Sequence, residues 1–175
     1  MTVRGKPLKI KFSLAQFLAV VGLWVILGGL TSCQVFQSPQ IPTGGLNSQR
    51  PEEFPAYSGD GRYLAFASDR NGRRDIFLYD LQQQTLVPLP NLNRRDSSQD
   101  QPALSADGRY LAYVSTERGR TDIFIYDRDR QRSQLLTANF TGSVRYPTIS
   151  GDGRSVAFQT SQLGEWDIAI IERDL

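Results

Sequence analysis

Histidine is absent from this 175-residue chain, cysteine occurs once, at Cys33, and the three lysines all fall within the first 11 residues. Each shortage removes a kind of chemistry. Without histidine there is no Ser-His or Cys-His nucleophile and no imidazole for a zinc site, and beyond Lys11 there is no Ser-Lys pair. A lone thiol closes no disulfide within one molecule. Long apolar runs are missing too: the stretch FLAVVGLWVILGGL, Phe17 to Leu30, has 14 uncharged residues, short of the roughly 20 that a membrane-spanning helix needs. What remains is 39% apolar and 22% charged, the composition of one soluble domain of ordinary size.

The short apolar run follows Arg4, Lys6, Lys9 and Lys11 and ends in small residues, the three-part pattern of an export signal over 1–32. Its end, LTSC at Leu30 to Cys33, resembles the lipobox of bacterial lipoproteins. That resemblance implies cleavage before Cys33 and acylation, including palmitate, on its thiol. Only a thiolate is nucleophilic enough to take the diacylglyceryl group, and Thr31 and Ser32 leave the bond accessible. Two or three acyl chains, at roughly 0.8 kcal/mol per buried methylene, hold a protein stably on a membrane. Gln34 stands where an aspartate marks retention in the inner membrane, so the expected address is the periplasmic face of the outer membrane. Residues 33–50, rich in Gln, Ser, Pro and Gly, read as a flexible tether, although the part near Leu46 could instead be recruited as a strand. From Cys33 onward, 16 arginines face 18 acidic residues, which gives no basic footprint for nucleic acid.

From about residue 54 the chain repeats itself. The phrases SGDGRYLAF, SADGRYLAY and SGDGRSVAF begin at Ser58, Ser105 and Ser150, and Asp60, Asp107 and Asp152 are 47 and 45 residues apart. The units are expected over 54–101, 102–146 and 147–175. Each holds a Pro-led segment (PAYS, PALS, PTIS), an Asp-Gly turn, a strand such as RYLAFAS, and a second strand such as DIFLYDL; TLVPL and SQLLT suggest a weaker fourth. Runs of five to seven β-branched and aromatic residues bounded by Gly, Asp and Asn argue for strands. They are apolar on both faces, so the sheets must be covered on both sides.

The phrase PAYSGDGRYLAFASDRNGRRDIFLYDL resembles the WD40-like repeat of TolB-type β-propellers, and the resemblance runs from Phe54 to Leu175. It implies an all-β fold of about three four-stranded antiparallel blades, preceded by a signal helix and a tether. It also implies a periplasmic protein-docking platform with an envelope protein as partner. About two and three-quarter blades leave two apolar flanks. Closure has three candidate forms: two chains pairing about a two-fold axis into a six-bladed ring, the segment near Leu46 supplying the missing strand of the third unit, or another envelope protein.

Catalysis is not expected, and no cofactor or metal is implied. Ser58, Ser105 and Ser150 recur once per unit, as turn residues do. Asp75 and Asp122, the one carboxylate pair to weigh for a glycosidase or lyase, recur as Asp167 and read better as strand-boundary hydrogen bonders. One carboxylate per turn is a poor calcium cage. Arginine pairs Arg73-Arg74 and Arg94-Arg95 leave glycan or peptidoglycan binding as the alternative function.

Overall fold

A computed structural model describes residues 45–174. The expected leader over 1–32 and the lipidation site Cys33 lie outside the described residues. Within them the chain is all strand and turn, and helix is absent. Strands β1 (Glu52–Tyr57), β2 (Tyr63–Ser68), β3 (Asp75–Asp80) and β4 (Thr85–Val87) form one antiparallel sheet in chain order. Strands β5 (Gln99–Leu104), β6 (Tyr110–Ser115), β7 (Asp122–Asp127) and β8 (Arg132–Leu135) form the second, and β9 (Val144–Ile149), β10 (Ser155–Thr160) and β11 (Asp167–Glu172) the third. The expected blades are therefore present, the third with three strands. The strands that open the three units begin at Glu52, Gln99 and Val144, two or three residues before the expected 54, 102 and 147. Pro55, Pro102 and Pro147 lie inside the innermost strands, at bulges in the β1–β2, β5–β6 and β9–β10 pairings. A bulge is where a sheet tolerates a residue without an N–H.

The Asp-Gly turns repeat atom for atom. In the second unit the Ser105 hydroxyl donates to Asp107 Oδ1 at 2.7 Å and accepts from the Tyr110 N–H at 2.9 Å, while Asp107 Oδ1 accepts from the Arg109 N–H. Ser58 with Asp60 and Ser150 with Asp152 make the same bonds. Gly108 and Gly153, at φ of 69° and 76°, also face the preceding sheet: a Cβ there would meet the rings of Tyr63 and Tyr110 at 2.6 and 2.4 Å.

Alternation along the strands gives every sheet two apolar faces, and neighbouring sheets bury one another. Ile76 and Leu78 of the first sheet pack against Leu111, Tyr113, Phe124 and Tyr126 of the second. Ile123 and Ile125 of the second pack against Val156 and Phe158 of the third. An aromatic clasp reinforces both contacts. The Arg128 guanidinium lies 4.4 Å from the centre of the Tyr63 ring and donates to Gly108 O at 2.8 Å, and Arg173 repeats this over Tyr110 and onto Gly153 O. The first unit has Leu81 where the clasp arginine would stand, and the third has Ser155 in place of the tyrosine.

The tether expectation needs correction at its end, because Gly45–Arg50 is docked. Leu46 is buried against Leu64, Phe66 and Tyr79 on the outer face of the first sheet. Arg70 donates to the carbonyls of Gly45 and Leu46 and stacks over Phe66 and Phe77, 5.0 and 4.6 Å from the ring centres. Leu46 thus caps the first sheet. The suggestion that it completes the third sheet fails, since that sheet consists of β9, β10 and β11 and the segment lies with sheet one.

Candidate functional site

The innermost strands β1, β5 and β9 converge, and each carries one residue in the left-handed region at its bulge: Phe54 at φ 52°, Gln101 at 52° and Tyr146 at 51°. That conformation costs a non-glycine residue of order 1–3 kcal/mol, and such strain persists where the surrounding structure imposes it. Here it recurs three times at the same repeat position. The consequence is that three side chains meet although they come from three sheets. Phe54 and Tyr146 rings are 6.4 Å apart at 50°, and Gln101 Oε1 accepts from the Tyr146 N–H. Phe54 is 37% and Tyr146 49% exposed, so aromatic surface is offered to solvent at the line about which the sheets fan.

Arginines frame this cluster in two different ways. Arg74 lies 5.6 Å from the Phe54 ring centre and is neutralised by Glu53, Asp69 and Asp100. Arg145 stands 5.2 Å from the Tyr146 ring and 3.7 Å from that of Trp166, with its Nε donating to Gln159 Oε1. It has no carboxylate within salt-bridge distance among the described residues, whereas the equivalent Glu53 and Asp100 both engage Arg74.

The residues singled out by sequence are placed elsewhere and occupied. Asp75 is fully buried, accepting from Asn71 Nδ2 and Arg73 Nε, and Asp122 accepts from the Thr137 hydroxyl at 2.9 Å and pairs with Arg118 and Arg120. They head strands in separate sheets, and Asp167, the third of the series, is exposed at the head of β11. Asp60, Asp107 and Asp152 are held below the usual aspartate range, first by the serine hydroxyl and then by the arginine N–H of their own turns. Among the described residues no three or more acidic, histidine or cysteine side chains gather to hold a metal ion. Of the two arginine pairs, Arg73 is bound to Asp75, Arg74 to Glu53, Asp69 and Asp100, and Arg94 to Asp96 and Glu117, while Arg95 is exposed. A polar cleft of about 420 Å³ between the first two sheets, lined by Tyr63, Pro90, Asp107, Arg109 and Arg128, is internally satisfied. Arg109 pairs there with Asp127 and Asp129, and the Tyr126 hydroxyl donates to Pro90 O. Sequence reasoning missed Phe54, Gln101 and Tyr146. The available signal was that the residue before each repeated proline changes while the proline stays.

No family model and no curated protein matches the chain. Solved structures do. TolB from Acinetobacter baumannii is 24% identical with a TM-score of 0.55, covering 68% of this chain and 29% of TolB. A protein described as TolB from Agrobacterium tumefaciens is 20% identical at a TM-score of 0.58, covering 70% of this chain and 46% of that one. A puromycin-hydrolyzing peptidase of Mycobacterium tuberculosis is 17% identical at 0.56, covering 78% of this chain and 21% of the peptidase. This chain thus spans less than half the length of each. The fold is that of a partial TolB-like β-propeller, and its structural neighbours include an enzyme as well as TolB itself.

Proposed function

We propose that this partial TolB-like propeller is a non-catalytic protein-binding domain, held at the periplasmic face of the cell envelope by lipid on Cys33, and that it takes its partner at the Phe54–Gln101–Tyr146 cluster. The supporting observation is the threefold recurrence of left-handed backbone at those positions. Strain repeated in each sheet, with an aromatic, an amide and an aromatic as its products, shapes a surface and adds nothing to the core. Catalysis finds little support: Asp75 and Asp122 are engaged as hydrogen-bond acceptors at strand heads in separate sheets, and a chain without histidine lacks the common general base.

Two measurements test the reading. Metabolic labelling with palmitate is expected to mark the wild-type chain and not Cys33→Ser, which should leave the membrane fraction. A photo-crosslinking residue in place of Phe54, in intact cells, is expected to capture a distinct envelope protein, and Tyr146→Ala in the same chain should reduce that product about tenfold, as loss of an aromatic hot spot does. Retention on purified peptidoglycan that Tyr146→Ala abolishes, with no protein captured, would replace this reading with the glycan-binding one.

A further inference from the structure

The two flanks of the three-sheet stack are treated differently. On the first sheet, Leu46 and Arg70 cover the outer face, leaving Phe66 and Tyr79 each 2% exposed. On the third sheet, the outer face of β11 is bare: Ile168 is 68% and Ile170 65% exposed, although their counterparts Ile123 and Ile125 in the second sheet are buried. Nor is this face equipped to receive a sheet of the same kind. Ser155 stands where Tyr63 and Tyr110 accept the next sheet's arginine and glycine, and Gln159 stands beside Ile168 where Ala67 and Val114 stand beside Ile76 and Ile123.

The charges on that face are also unusual. Trp166, Ile168, Ile170 and Glu172 alternate onto one side of β11. At its start Trp166 holds Arg145, and at its end Glu172 accepts from the Ser155 hydroxyl at 2.9 and 2.8 Å; among the described residues Arg145 pairs with no carboxylate and Glu172 with no cation. Arg145 itself is on β9, in register with Gln159 and Ile168, and its guanidinium reaches the Trp166 ring, so across this face the order is cation, two isoleucines, anion, with about 20 Å of strand between Trp166 and Glu172. Such a pattern is self-complementary when turned end for end. We infer that this flank is a two-fold contact with a second copy of the chain, in which Ile168 and Ile170 pack on their counterparts and Arg145 of each copy meets Glu172 of the other.

The area is adequate. Leu163, Trp166, Ile168 and Ile170, at 83, 46, 68 and 65% exposure, present on the order of 500 Å², within the range of functional apolar patches. A standard interface takes about 800 Å² per partner, and Arg145, Gln159, Thr148 and Glu172 supply a polar rim for the remainder. A head-to-tail six-bladed ring demands instead that the bare flank meet the first sheet, where Leu46 and Arg70 are in the way. The two-fold contact leaves both first sheets as they are.

Charge reversal on the full chain in detergent, with mass measured by light scattering, tests the proposal. Arg145→Glu and Glu172→Arg are each expected to weaken self-association roughly tenfold or more, and the two together to restore it, as expected of an interfacial charge pair. A second arm is independent of those variants: a photo-crosslinking residue in place of Ile170 is expected to give a covalent dimer joined between two β10–β11 peptides. Single variants that associate like wild type, a double variant that stays weak, a crosslink to first-sheet peptides, a crosslink to a different protein, or no crosslink at all would each overturn it. Arg145 also adjoins Tyr146 of the binding cluster, so the Ile170 crosslink, on β11 and two strands away from β9, is the arm whose failure leaves the proposed binding function standing.

Discussion

Ser105 carries more of the fold than its size suggests. It is fully buried, and its hydroxyl serves both the Tyr110 N–H and the Asp107 carboxylate. Ser105→Ala leaves a buried N–H without its acceptor, at a cost of about 1–3 kcal/mol. Ser150→Ala, in the more exposed third turn, is expected to cost less, and urea midpoints of the two variants measure the difference. The aspartates of these turns, together with Asp80, Asp127 and Glu52, also contribute to the acid limit of the molecule. Asp60, Asp107 and Asp152 have folded values below the ordinary 3.8. Their contribution is therefore complete above pH 3.8 and is lost as pH falls through the depressed folded values. With no histidine to titrate, the denaturation midpoint should be flat from neutral pH to about 5 and fall below about 4. A drop between pH 5 and 7 would contradict this assignment.

Between elements, the clasp is the device that makes one sheet hold the next. Arg128 stacks on Tyr63 while bonding Gly108 O, so it contributes through dispersion, cation–π attraction and a charge-assisted bond at once. A double-mutant cycle of Arg128→Ala and Tyr63→Ala should return a coupling of about 1 kcal/mol. The same cycle on Arg173 and Tyr110 should return a similar value, since the 4.8 Å stacking and the bond to Gly153 O repeat. At the first sheet Leu81 replaces the clasp and Leu46 replaces a neighbour. Leu46→Ala is expected to cost about 2 kcal/mol, the low end for a buried leucine because its site lies at the margin of the core, as read from thermal or urea unfolding.

At the scale of the described residues as a whole, the sheets stack face to face on their nearest neighbours, the first and third meeting at the Phe54 and Tyr146 rings, so local stability depends on position in the row. The middle sheet is covered on both faces, and every residue of β6 and β7 is buried. The third is covered on one face, and β11 is an edge strand with four of its six residues exposed. Amide exchange is expected to be slowest in β6 and β7 and fastest in β11, with β11 slowing as protein concentration rises. Uniform protection across the three sheets would show that the row unfolds as a single unit.

Strand content, the three-unit repeat and the chemistry of the Asp-Gly turns were legible in the sequence because they rest on contacts a few residues apart: Ser105 reaches Asp107 and Tyr110 whatever lies beyond them. The left-handed turn of Phe54, Gln101 and Tyr146 was not legible, since the bulge that imposes it arises from pairing with a second strand. Nor was the docking of Leu46, whose partners lie 18 or more residues away. The sharpest case is the isoleucine pair that recurs in sheets two and three. Ile123 and Ile125 are 0% and 1% exposed, Ile168 and Ile170 68% and 65%. Local sequence cannot separate them, because burial belongs to whatever sheet stands opposite, and only the tertiary arrangement decides which face has a neighbour.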